Sequence, residues 1–144
     1  MAGQIRITTT FEITDPYGNV LEPIITRKTV EAITALDVRH YAITADQTRT
    51  LYDPTVEATE NMSDFDGLAM WADGVLDVEF TANEGDANET LDTKRLVADL
   101  PLMLGADDSY YNGGLAGTLD VIDKIRVDEP DTAARTLHLI MWKV

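Results

Sequence analysis

The chain has 144 residues, enough for one core without disulfide or metal staples. It contains no cysteine, which removes disulfides, thiolate metal sites and cysteine nucleophiles together. Its 26 acidic against 11 basic residues give a formal charge of −15, a field that repels phosphate backbones and anionic headgroups and argues against nucleic-acid and membrane partners.

No apolar run approaches the roughly 18 residues of a membrane span. The opening MAGQIRITTTFEIT has neither a basic nor an apolar leader segment, so the expectation is a chain made in a cytoplasm. Threonine outnumbers serine 18 to 2, and β-branched threonine suits a pleated surface with one wet face.

In chain order, Ile5, Ile7, Thr9, Phe11 and Ile13 alternate with Arg6, Thr8, Thr10 and Glu12, the pattern of a strand. DPYGN at 15–19 is a turn, and VLEPIITR at 20–27 reads as an edge strand or loop because of Pro23. Residues 28–53 read as two or three short strands, with Arg39, Tyr41 and Ile43 alternating against Val38, His40 and Ala42. Residues 54–66 are polar and aperiodic, hence loop. In LAMWADGVLDVEF, Asp73-Gly74 separates two apolar runs, which predicts a two-residue hairpin.

The acidic loop 81–92 is followed by 94–104, where Leu96, Ala98, Leu100, Leu102 and Leu104 alternate and Pro101 predicts an edge or a break. Residues 86–98 are the best helical candidate, though alternation fits them equally well. Residues 105–117 are Gly-rich and irregular. TLDVIDKIRV then turns Leu119, Val121, Ile125 and Val127 inward, and TLHLIMWKV closes the chain. In that last strand Leu137, Leu139 and Met141 share one face, with Ile140, Trp142 and Val144 on the other. Both faces are mainly apolar, so one meets the core and the other a covering loop or a second subunit. The expected partner of this strand is 118–127. The whole reads as all-β, a single β-sandwich domain over 1–144 with about eight strands in Greek-key or jelly-roll order.

Chemistry-bearing motifs are sparse. Neither serine lies in a nucleophile elbow. His40 and His138 each sit within a strand, where a partly buried ring bonded to a carbonyl is the expectation. With 26 acids, any chosen carboxylate pair is uninformative. SDFDG and NEGDANETLD miss the calcium-loop spacing, and GGLAG lacks the lysine and helix of a phosphate cradle. No catalytic residue, metal ligand or cofactor is assigned. Trp71 and Trp142 fit core packing. Tyr110 and Tyr111 are adjacent in the Gly-rich loop, so one must point outward. The candidate interface is Tyr110, Tyr111, Asn112, Ile140 and Trp142.

LAMWADGVLDVEFTANEG, then RLVADLPLMLGADDSYYNGG, then TLDVIDKIRVDEPDTAARTLHLIMWKV, together resemble small virion structural proteins of tailed bacterial and archaeal viruses. The resemblance covers residues 67–144 and consists of strand and turn patterns. It implies a non-enzymatic β-sandwich that decorates or cements a capsid, or sits in the tail or neck. The implied partners are the major capsid protein or another virion protein and further copies of the chain, the implied location the virion after synthesis in the host cytoplasm. The alternative is a carbohydrate-binding or receptor-adhesion module of a tail or head appendage, with Tyr110 and Tyr111 as platform. A small β-fold nucleotide hydrolase ranks third, because a triphosphate calls for basic and Gly-rich motifs missing here.

Overall fold

The computed structural model describes residues 3–45, 47–55, 62, 64–105, 122–128 and 133–144. Two compact units emerge, Met1–Thr34 with Val144, and Ala35–Lys143.

The first unit is an antiparallel ribbon of β1 (Gly3–Phe11) and β2 (Ile24–Ile33). Its far end is the DPYGN turn. There Asp15 Oδ1 accepts from the backbone N–H groups of Tyr17 at 2.9 Å and Asn19 at 2.8 Å. Gly18 has φ of 87°, which a glycine adopts at little cost. Bonds from the Asn19 side chain and backbone hold the Asp15 carboxyl below the usual carboxylate range. Strand β2 begins directly after Pro23, whose missing N–H cannot join the ladder. Near its end β2 carries an extra residue, because Gly3 pairs with Ile33 but Ile5 with Val30. Ala32, at φ 59°, forms that bulge.

The second unit holds β3 (Ala35–Ile43), β4 (Thr48–Tyr52), β5 (Gly67–Ala72), β6 (Leu76–Ala82), β7 (Thr90–Leu96), β8 (Leu102–Gly105), β9 (Ile122–Asp128) and β10 (Arg135–Lys143). They form two four-stranded antiparallel sheets, ordered β3-β10-β5-β8 and β4-β9-β6-β7. That order is a jelly roll: an eight-stranded sandwich of two Greek keys. Between the sheets, Tyr41, Ile43, Leu68, Met70, Leu104, Leu137, Leu139 and Met141 meet Leu51, Leu76, Val78, Phe80, Leu96, Ile125 and Val127 in one buried cluster. Each strand contributes at alternate positions, as the pleat requires.

Jelly-roll order explains where sequential pairing misleads. Strand β10 lies between β3 and β5, not beside β9, which belongs to the other sheet. Asp73-Gly74 makes no hairpin; it carries the chain from β5 in one sheet to β6 in the other. A Cβ added at Gly74 would fall 2.2 Å from Arg135 Nε, so the arginine side chain would have to shift to admit it. Asp73 anchors the corner, its Oδ1 accepting from Thr136 N–H at 2.9 Å. The helical candidate is instead turn followed by β7, and no helix occurs among the described residues. The alternation of 94–104 is likewise two strands in opposite sheets. Leu96 and Leu104 are buried, while Leu100 in the corner between them is exposed.

Candidate functional site

The period-2 rule fixes what each sheet shows to the outside. With Leu137, Leu139 and Met141 in the core, β10 turns His138, Ile140 and Trp142 outward. Register places Leu36, Val38 and His40 of β3 beside Trp142, Ile140 and His138 respectively. On the other flank it places Gly67, Ala69 and Trp71 of β5, and Met103 of β8 lies opposite Ala69. The outward face of this sheet is therefore apolar over most of its width. Leu36 is 54% and Val38 52% exposed. Ile140 and Met103 are half-buried between their neighbours.

At one end of the face the polar atoms converge. His40 and His138 are direct cross-strand partners, with Nδ1 atoms 2.5 Å apart. Their rings meet edge-on, centroids 4.7 Å apart and planes at 80°. Trp71 stacks on His138 from the other side, at 5.0 Å and 12°. One imidazole must carry the shared hydrogen and the other accept it. At the opposite end Trp142 is 1% exposed. Its indole lies on Gly67, where a Cβ would sit 2.2 Å from Cζ2.

The outer surface of the other sheet is built differently. Arg95 donates through Nε and Nη2 to the two Asp77 carboxylate oxygens, each at 2.8 Å. Those bonds hold the Asp77 carboxyl below its ordinary range. Arg126 pairs with Glu79 one rung along, and Lys124 with Glu84 beyond it. Thr48 Oγ1 donates to Asp128 at 2.6 Å. This face is laced with ion pairs, with Leu91 of β7 58% exposed among them.

Beneath one end of the sandwich, burial pushes the Tyr52 hydroxyl up to about 12, helped by the nearby Asp64, Asp123 and Asp53 carboxylates. Asp53 stays below its ordinary range because Thr55 Oγ1, at 2.6 Å, and Thr55 N–H, at 3.0 Å, donate to it. A hollow of about 170 Å³ at the β7–β8 corner is lined by Val97, Leu100, Leu102 and Met103 among others. Pockets for drug-sized ligands measure about 300–1,000 Å³. Among the described residues no group of three or more His, Cys, Asp or Glu side chains is placed to hold a metal ion.

Of the residues singled out from the sequence, Tyr110, Tyr111 and Asn112 lie outside the described residues. Ile140 is on the outward face, half-buried. Trp142 points the same way but is 1% exposed, its ring against Gly67; it packs within the chain rather than standing out as a contact. Sequence reasoning missed Leu36, Val38 and the His40–His138–Trp71 stack. The alternation around Tyr41 and Leu137 already turned both histidines outward. What it lacked was the β3–β10 pairing that sets them opposite each other.

No family model matches the sequence, and no curated protein matches it significantly. Among solved structures, the crystal structure of Yersinia pseudotuberculosis-derived mitogen aligns over 76% of this chain and 86% of that chain, at 10% identity and a TM-score of 0.43.

Proposed function

We propose that this protein is a non-enzymatic virion structural protein, a capsid decoration protein that attaches to the shell as an oligomer. The observation that carries the attachment is the contrast between the two outer faces of the sandwich. One is laced with ion pairs; the other exposes Leu36 and Val38 beside Ile140, Ala69 and Met103. An apolar sheet face of that kind favours a partner surface. The virion setting comes from the strand and turn pattern of residues 67–144, and the −15 charge fits a protein outside a shell, away from a packaged genome.

The ribbon supports the oligomer. Phe11 and Ile24, cross-strand partners, are each 54% exposed, and Val20 near the turn is 76% exposed. A two-stranded ribbon is marginal in water unless its apolar side is covered. Its strands carry Arg6, Arg27 and Lys28 against Glu31 alone, an excess of cations in an otherwise acidic chain. A second acidic copy complements that ribbon in charge as well as in apolar surface.

The test is to mix purified protein with undecorated shells and measure occupancy, beside a glycan array. Saturable binding to shells is the expected result. Binding to a polysaccharide with no shell binding would replace this reading with the carbohydrate module.

A further inference from the structure

Two imidazoles that face each other across a strand pair, held by an aromatic ring, form half of a metal site. We propose that His40 and His138 bind a borderline transition-metal cation, copper(II), nickel(II) or zinc, on the outward face of the β3-β10-β5-β8 sheet. This metal site is independent of the docking role.

The geometry supplies three things. First, the ligand atoms lie close: the two Nδ1 atoms are 2.5 Å apart and come from residues in direct register, so the backbone ladder keeps the two side chains side by side. Imidazole nitrogen binds such ions at about 2.0–2.1 Å, which requires two ligand nitrogens roughly 3 Å apart. Binding needs the rings to open by about half an ångström and to swing so that both lone pairs turn off the N···N line toward the ion, χ adjustments open to side chains at the surface. Secondly, Trp71 stacks on His138 at 5.0 Å and near-parallel, and so restrains the ring that presents the ligand atom. Thirdly, a chain of formal charge −15 raises the local concentration of cations.

The proton balance is simple. In the metal-free pair one Nδ1–H donates to the other Nδ1. On binding, the donor ring shifts its hydrogen to Nε2, so both Nδ1 lone pairs face the ion and no net proton is released. Two protein ligands leave the remaining coordination positions to water or to a side chain of a docked partner. Neutral imidazole selects copper, nickel and zinc over magnesium and calcium, with copper(II) tightest.

The experiment is a titration of the full chain with copper(II), nickel(II), zinc and magnesium salts, read by calorimetry and by tryptophan fluorescence. Copper(II) should bind one ion per chain and quench Trp71 saturably, and magnesium should do neither. His40→Gln leaves the Trp71–His138 stack in place and should weaken copper binding at least about tenfold, the scale of losing an outer partner let alone a ligand. Trp71→Phe should keep the calorimetric binding and lose most of the quenching. A thermal melt matching wild type confirms that each variant is folded, and His138→Gln repeats the test should His40→Gln fail to fold. Non-saturating binding by wild type, or undiminished binding by folded His40→Gln, would overturn the proposal.

Discussion

Gly67→Ala tests the packing that holds the outward sheet together. The methyl of alanine would stand 2.2 Å from Trp142 Cζ2, 2.4 Å from Cε2 and 2.8 Å from Nε1. Carbon atoms in contact settle at about 3.5–4.0 Å, so the indole must retreat by more than an ångström. Its backbone has no such freedom, since Trp142 pairs with Leu36 on one side and Gly67 on the other. Overpacking of this kind costs about 1–3 kcal/mol. Its ceiling is the loss of the ring's packing altogether, about 3–5 kcal/mol, which is also the expected cost of Trp142→Ala. The two effects share one cause and should not add. In the Trp142→Ala background the new methyl meets no ring, so Gly67→Ala should be nearly neutral. The double-mutant cycle should therefore show a coupling of about 2 kcal/mol, within the range for residues in contact. Urea unfolding followed by circular dichroism measures all four corners at equal slope. Additivity within about 0.5 kcal/mol would mean that the ring does not lie on Gly67.

Deleting residues 137–144 should abolish cooperative unfolding, because it removes the strand that both β3 and β5 pair with; a truncated chain melting near the wild-type temperature would make β10 peripheral. Far-ultraviolet circular dichroism should show β structure with helix below about 15%, against the usual 30–35%. Tyr52 adds an alkaline limit. Its folded pKa of about 12 lies above the unfolded value of 10.0, so its contribution to stability is complete below pH 10.0 and lost as the pH rises towards 12. Tyr52→Phe should flatten that fall between urea melts at mildly and strongly alkaline pH, and an unchanged slope would mean the hydroxyl titrates normally. Phe11→Asp with Ile24→Asp should shift sedimentation towards the monomer without altering the sandwich's melt; an unchanged oligomer would free the ribbon of that role.

Periodicity carried the strands because each one is half-buried: Val78 and Phe80 face in, and Asp77 and Glu79 face out, as the sequence pattern requires. It did not carry the pairing. In a jelly roll, neighbours in sequence such as β9 and β10 lie in different sheets, so a local hairpin rule joins the wrong strands. The same error hid the site. His40 and His138 are 98 residues apart and become a pair only through the β3–β10 register. Asp73-Gly74 carried a true turn signal, but nothing local distinguishes a hairpin from a crossover. The extra length between Ile122 and Ile125, both buried, comes from an irregularity opposite Thr81 and Ala82, which breaks simple alternation. Trp142 fitted core packing by its apolar surroundings yet also entered the candidate interface, because strict alternation turned it outward. The neighbouring strand, with glycine at the paired position, makes room for its ring.

The most direct test of the central claim compares the two faces of the sandwich on the same shells. Val38→Asp with Ile140→Asp puts charge on the apolar face, and Thr93→Asp puts charge on the ion-paired face at an exposed position. Occupancy of undecorated shells should fall at least about tenfold for the first variant, as expected for charge buried at an interface, and stay at the wild-type level for the second. Equal occupancy by both folded variants, or loss confined to Thr93→Asp, would contradict the assignment of the β3-β10-β5-β8 face as the docking surface.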